Sequence, residues 1–375
     1  MPVPQDDQAY MEQALELASR AQGLTSPNPL VGAVVVRDGA VVGEGYHKQA
    51  GAAHAEIEAL RAGGRRAHGG TLYVTLEPCV HKGRTGPCVS AVLDAGIRRV
   101  VVAVADPNPN VNGRGISALS NAGVAVTVGC LETEARELNR AFFTYMREHR
   151  PLVTMKAALT LDGKIAAWDR TARWITGSAA RQEGHRLRSQ SDAILVGIGT
   201  VLQDDPLLTV RLPDPWPREP FRVVVDSQAR TPPVARVLTL GNPKRTLIAV
   251  VEHAPRHRVR ALEVTGVVVL RLPARDGRVD LAALLAELAK REVVALLLEG
   301  GAELNAAFLE AGLVDRVAVF LAPLLVGGAG APSLVGGHGR TLKEAFRLHG
   351  LTVRRVGEDL MIEGEIDKAN VHGDR

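Results

Sequence analysis

The chain has 375 residues, 46% hydrophobic and 23% charged, with 45 basic and 41 acidic side chains leaving a net charge of +4. That length holds two to three domains of ~150 residues, and the composition excludes a mainly disordered or fibrous chain. The small charge excess is carried by arginine, with only eight lysines, and shows no stripe suited to nucleic acid. Three cysteines are too few for a disulfide scaffold.

The opening MPVPQDDQAY lacks the basic and apolar regions of a secretory leader. A helix is expected around 10–21, then a turn entering a strand over 27–36. A gap at 37–40 leads to a second strand at 41–47, the pattern of a hairpin. A short helix starts at 54–60, a strand follows at 71–77, another helix begins near 87–88, and an apolar run fills 100–105. Leu131, Ala135, Leu138, Phe142 and Tyr145 recur at helical spacing over 131–150. Arg150-Pro151 ends that helix and places a boundary there. The domains are thus expected at 1–150 and 151–367, with a flexible tail at 368–375.

The second half opens on LVTMKAALT and continues through AILVGIG, FRVVVDS, RTLIAVV and GVVVLRL. A helix at 281–290, VVALLLEGG, a helix at 303–311 and VDRVAVFLAP come next. Such apolar, β-branched runs predict buried strands in a predominantly parallel or mixed sheet, so both halves read as α/β. The final GLTVRRVGEDLMIEGEI reads as an antiparallel edge hairpin. The stretch 317–337 has 21 residues without a charge, but Pro323, Pro332 and five glycines interrupt it. It therefore reads as a buried strand and turn, not a spanning helix. A soluble protein in a reducing cytoplasm is expected, with no membrane or nucleic-acid partner.

The strongest chemical signal is His54-Ala-Glu56, followed 21 residues after Glu56 by Glu77-Pro78-Cys79 and then by Cys88. One imidazole and two thiolates supply three ligands of a tetrahedral Zn2+ and leave a fourth position for water. Glu56 stands beside that position and can carry a proton from the water to a leaving amine, the logic of zinc deaminases. Both cysteines are expected near helix starts, where a thiolate is favoured. Eight residues separate them instead of the two of the common signature. The insertion carries His81, Lys82 and Arg84, with His81 a competing ligand or a rim residue. A structural zinc site is the alternative, although no fourth cysteine lies nearby; Cys130 follows an apolar run and reads as core.

SPNPLVGAVV, GEGYH, GAAHAEIEAL, YVTLEPCVHKGRTGPC and ADPNPNVNGRG together resemble the bifunctional riboflavin-biosynthesis deaminase/reductase family. The resemblance implies an N-terminal zinc-dependent domain of the cytidine-deaminase type. In it His54, Cys79 and Cys88 hold zinc and Glu56 shuttles the proton. The implied substrate is 2,5-diamino-6-(5-phospho-ribosylamino)pyrimidin-4-one, whose 2-amino group is hydrolysed. Asn28 and the HKGRTG loop would line its pocket. Ala53 stands where the family often has proline, which removes no reacting group.

The second half lacks the GxGxxG and GxxxxGK[ST] fingerprints, so neither a standard Rossmann site nor a P-loop is present. Gly300-Gly301 before a helix would allow close approach of a phosphate, though by itself such a turn is usually a plain connection. MKAALTLDGKIA, ARWITG, ILVGIGTVLQDDPLLTVR, VVDSQAR and EGGAELNAAFL extend the resemblance over almost the whole chain. They imply a dihydrofolate-reductase-like domain that reduces the ring-opened sugar with NADPH. On that similarity Ala158, Trp174, Thr200, Asp204 and Ser227 lie near the cofactor, with Gly301, Ala302, Glu303, Leu304, Asn305, Ala306, Ala307 and Phe308. Arg188, Leu208, Arg211 and Glu299 surround the phosphorylated sugar, the arginines offering guanidinium forks. Taken singly, each arginine reads as a solvated residue, Trp174 as packing and Asp204 as a turn former. A homo-oligomer is expected.

Competing classes are a deaminase acting on RNA or DNA, a degenerate binding protein, and a deaminase whose second half only stabilises the assembly. The 3% aromatic content disfavours the first, and the complete set of four site residues disfavours the second.

Overall fold

The computed structural model describes residues 5–80, 86–109, 111–239 and 241–368. The chain divides into two compact units, Met1–His149 and Arg150–Arg375.

The first unit is built on helix α1 (Gln5–Ser19), the hairpin β1 (Gly32–Arg37) and β2 (Ala40–Tyr46), helix α2 (Ala55–Gly63), strand β3 (Thr71–Val74), helix α3 (Cys88–Asp94), strand β4 (Arg99–Val102), helix α4 (Arg114–Asn121), strand β5 (Ala125–Val128), and helices α5 (Glu132–Leu138) and α6 (Arg140–Glu148). The hairpin turns on Asp38-Gly39, both at positive φ, the backbone that a two-residue turn between twisted strands demands. Strand order is β2-β1-β3-β4-β5; β1 is antiparallel to β2 and β3, whereas β3, β4 and β5 run parallel. The apolar run Ala33–Val36 of β1 buries one face under α2 with Ala33 and Val35 and the other under α1 with Val34 and Val36. The helical run at 131–150 is broken in two at Asn139. Its buried amide accepts from Leu30 N and donates to Leu30 O, both at 2.8 Å, a reciprocal bond that outweighs one more helical turn.

The second unit follows as β6 (Leu152–Thr160), α7 (Ser178–Ser189), β7 (Ala193–Gly197), α8 (Ile198–Asp204), β8 (Phe221–Val225), α9 (Arg236–Thr239), β9 (Thr246–Val251), α10 (Arg256–Glu263), β10 (Val268–Leu272), the short pair β11 (Ala274–Arg275) and β12 (Arg278–Val279), α11 (Leu281–Ala289), β13 (Ala295–Leu298), α12 (Ala302–Glu310), β14 (Arg316–Ala322), β15 (Leu348–Val356) and β16 (Asp359–Ile366). Nine strands form one sheet in the order β10-β9-β8-β7-β13-β6-β14-β16-β15. It is parallel from β10 to β14 and antiparallel at β16 and β15. The expected mixed sheet with a terminal edge hairpin is present, and the uncharged stretch after Val317 is β14 running into a loop. Among the described residues no helix is long and apolar enough to cross a membrane. Helices α7 and α10 have no counterpart in the sequence reading. Of the expected tail, Lys368 is described, its ammonium 2.6 Å from Asp315; residues 369–375 lie outside the described residues.

Candidate functional site

In the first unit His54 is the N-cap of α2, and Cys88 is the first residue of α3. Cys79 differs from expectation: it lies on irregular backbone between β3 and α3, not at a helix start. The strand expected over 71–77 ends at Val74, so Glu77, Pro78 and Cys79 lie on irregular backbone beyond the sheet. His54 Nδ1 lies 3.1 Å from Cys88 Sγ and 3.6 Å from Cys79 Sγ, and the three ligand atoms all lie within 4.8 Å of one another. Tetrahedral bonds of ~2.0 Å to nitrogen and ~2.3 Å to sulfur require spacings of roughly 3.5–3.8 Å. The His54–Cys79 distance meets this; the His54–Cys88 pair stands closer, at hydrogen-bond distance, and has to open slightly around an ion, and the donor chemistry fits zinc. Soft thiolates with one imidazole also select zinc over hard cations.

The three donors share protons among themselves, and a zinc ion takes all three deprotonated. Cys88 hydrogen-bonds to Cys79 and holds it towards the thiolate, while the same bond pushes Cys88 up. The bond to Cys79 raises His54 above its ordinary value. Glu56, in the first turn of α2, is 3% exposed, and burial raises its carboxyl above the usual range, as a proton carrier requires.

Asn28 is fixed beside these groups. Its amide nitrogen is 3.1 Å from His47 Nε2, while His47 Nδ1 is 3.0 Å from the Ala53 carbonyl oxygen. Since that oxygen only accepts, Nδ1 carries the proton; burial keeps the ring neutral, and Nε2 accepts from Asn28. The His47 and His54 rings meet edge to face at 5.6 Å. His81, Lys82 and Arg84 lie outside the described residues.

In the second unit Arg188, on α7, grips Glu299 with two bonds of 2.8 and 2.7 Å and donates to Thr209 O at 3.0 Å. Burial opposes the Glu299 charge, but Arg188 and Lys156 outweigh it and hold that carboxyl at about 2. His185 faces the same cluster; burial and the Arg188 and Arg211 charges depress it to about 4. Arg211 is exposed, its backbone N–H donating to His185 Nδ1 and its guanidinium to Thr209 Oγ1. Leu208 is buried in the core.

The expected cofactor residues occupy several places. Ala158 is half-buried on β6, while Thr200 and Asp204 lie on α8. Ser227 accepts from Val279 N through its hydroxyl. Trp174 is 67% exposed, with the Arg181 guanidinium 4.6 Å above its ring. Gly301 is the N-cap of α12 and 302–308 its first two turns. Asn305 is buried and donates to Leu334 O, and the Phe308 side chain belongs to the core. His47, Lys156 and His185 are not singled out by the sequence, and Glu77 appears there as part of the Glu77-Pro78-Cys79 motif without a role of its own. His47 and Lys156 sit inside the recognised segments GEGYH and MKAALTLDGKIA, but nothing in residue type or spacing marks them.

Comparison with known proteins covers most of the chain. The family model for the cytidine and deoxycytidylate deaminase zinc-binding region matches residues 4–104, and the RibD C-terminal domain matches 151–362. The riboflavin biosynthesis protein RibD of Aquifex aeolicus is 44% identical over 95% of this chain and 97% of its own. The RibD protein of Escherichia coli is 41% identical over 95% and 98%. Among solved structures, Acinetobacter baumannii RibD superposes with a TM-score of 0.88 at 38% identity, covering 96% of this chain and 99% of that one. The Thermotoga maritima diaminohydroxyphosphoribosylaminopyrimidine deaminase/5-amino-6-(5-phosphoribosylamino)uracil reductase does so with 0.81 at 33%, over 96% and 99%. A cytidine-deaminase-type unit with a His-Cys-Cys cluster, joined to a RibD-type reductase unit, places this chain in the bifunctional RibD family of deaminase/reductases of riboflavin biosynthesis.

Proposed function

We propose that residues 1–150 hydrolyse the 2-amino group of 2,5-diamino-6-(5-phospho-ribosylamino)pyrimidin-4-one, and that residues 151–367 reduce the ribosyl side chain of the product to the ribitylamino form. The cluster of His54, Cys79 and Cys88 beside a buried Glu56 is the observation that carries the first step. Zinc held there supplies Lewis-acid activation of water near neutral pH. Glu56 accepts the proton of the attacking water and delivers it to the departing amine. Asn28, with its amide nitrogen engaged by His47, turns its carbonyl oxygen towards a donor on the pyrimidine.

For the second step NADPH supplies the hydride, and the protein aligns the open-chain sugar against it. Ala158, Trp174, Thr200, Asp204, Ser227 and 301–308 form the cofactor side of the pocket, with Leu208 and Glu299 on the sugar side. Because the fork of Arg188 is already engaged by Glu299, Arg188 positions Glu299, and Arg211 takes the phosphate. We further place the enzyme in the cytoplasm as a homo-oligomer. None of its three cysteines is in a disulfide, in keeping with a reducing compartment.

Glu56→Gln tests the reading. It is expected to keep zinc and lose deamination by ~10²–10⁴-fold, while still oxidising NADPH on pre-deaminated substrate. Near-normal deamination in the zinc-loaded variant removes Glu56 from the mechanism. Failure to reduce the pre-deaminated substrate, by wild type as well, removes the second activity.

A further inference from the structure

Of the three metal ligands, His54 and Cys88 take their positions from helix starts, but Cys79 sits on irregular backbone. It is tied on one side to the start of α3 by its carbonyl oxygen, which accepts from Val89 N at 3.2 Å, and by its Sγ, which accepts from Cys88 N at 3.4 Å. Two residues before it, the Glu77 side chain is buried, with 4% of the residue exposed. Its Oε2 accepts from Asp106 N at 3.1 Å and Gly113 N at 2.9 Å; its Oε1 accepts from Gly115 N at 2.8 Å and Ile116 N at 3.2 Å. Three of those donors belong to the N-terminal turn of α4, whose first N–H groups have no partner within the helix. Gly115 abuts the strand end so closely that a Cβ there would run into the Pro78 carbonyl oxygen. The Glu77 backbone N–H bonds Val104 O at 3.0 Å.

We propose that Glu77 is a positioning residue for the metal centre: its carboxylate clamps the 77–79 segment to the start of α4 and thereby sets where the Cys79 sulfur stands. The inference rests on the zinc reading above. Regular structure supplies rigidity to the other two ligands; for this one the α3 contacts hold the far side, and four charge-assisted bonds from the Glu77 carboxylate hold the side that enters from β3. A ligand left free to wander raises the entropy lost on metal binding, and removing groups that orient ligands typically weakens a metal ~10–100-fold.

Glu77→Gln is the informative change. It keeps the volume but converts one oxygen into an N–H₂ facing two N–H donors, so at least two of the four bonds are lost. Zinc affinity is measured on the full chain by competition with a chelator, alongside the cobalt(II) absorption spectrum. The comparison variant is Met11→Ala, which opens a cavity in the fully buried α1 core without touching the clamp. E77Q is expected to bind zinc ten- to a hundredfold more weakly with altered thiolate–cobalt bands, Glu77→Asp to recover part of the loss, and M11A to bind as wild type does. Wild-type affinity and spectrum in E77Q overturn the proposal, as does an equal loss in M11A. Failure of both E77Q and E77D to fold assigns Glu77 to the fold and overturns it too. Absence of zinc binding by the wild type instead defeats the metal reading itself.

Discussion

The exposed Arg211 guanidinium stands at the edge of a cation-rich cluster. Among the described residues Arg211 makes no ion pair, and burial together with the Arg188 and Arg236 charges lowers its pKa. Lys156 and Arg188 flank the same Glu299, so the cluster carries more positive than negative charge and lacks an anion. A sugar phosphate supplies that charge, and the planar fork of arginine suits it better than an ammonium does. Binding of the deaminated sugar phosphate is therefore expected to weaken from wild type to R211K to R211A, by roughly ten- to a hundredfold for alanine. Zinc content should not change. Titration with pre-deaminated substrate at saturating NADPH checks this. Unaltered substrate dependence in both variants removes the phosphate role, and a loss confined to NADPH moves Arg211 to the cofactor.

Between elements, the attachment of α1 depends on one charge. Asp7, 2% exposed, receives two bonds from Arg99 on β4 at 2.8 and 2.6 Å, and one from the Tyr73 hydroxyl of β3 at 2.8 Å. The Arg99 bond holds its carboxyl below the usual range despite burial. A carboxyl depressed in the folded state contributes stability above its unfolded value, near ~3.9, and that contribution is lost as pH falls through the folded value. Asp7→Asn should cost about 1.5–3 kcal/mol at pH 7, with the difference from wild type closing in acid. Denaturant unfolding of the full chain across pH, followed by zinc release, measures it; a pH-independent difference contradicts the electrostatic account.

The same scale shows what the sequence could and could not announce. The apolar run of β1, the parallel core strands and the hairpin across 37–40 are legible because each follows from local residue preferences. Helix α7 is not, because it buries Ala180, Gly184 and Ser189, small residues that leave no apolar stripe. The break at Asn139 depends on a partner 109 positions away. The metal ligands are legible because coordination chemistry restricts residue type, whereas the clamp of Glu77 is hidden because its partners are backbone N–H groups, which every non-proline residue has. His185 acquires its surroundings only when α7 packs beside β13 and the 208–211 segment.

At the scale of the whole molecule, the last-but-one strand is the exposed feature. Every residue of β15 except Val356 is exposed, Leu351 by 57% and Val353 by 61%, and it ends the sheet. A long edge with apolar side chains is a pairing surface, and the proposed homo-oligomer covers it with a second copy. Light scattering is expected to give a multiple of 39.9 kDa, and replacing Leu351 and Val353 by lysine is expected to return the single-chain mass. A wild-type mass of one chain at micromolar concentration refutes the assembly.

The order of the large sheet also governs how the chain meets its own contacts as it is made. Strand β6 comes first in its unit, yet it pairs with β13 and β14, not with any of the four long strands that follow it directly. It leaves the ribosome with its hydrogen-bonding edges open and stays so until residues 295–298 arrive to fill the gap between it and β7. The first unit draws its sheet contacts from residues already synthesised, and so it can close early. The second must wait, and closing so long a loop is slow and leaves strand edges open to aggregation meanwhile. Truncations that stop short of β13 therefore leave a half-sheet with two raw edges, and the burden on chaperones falls on the C-terminal half of the molecule.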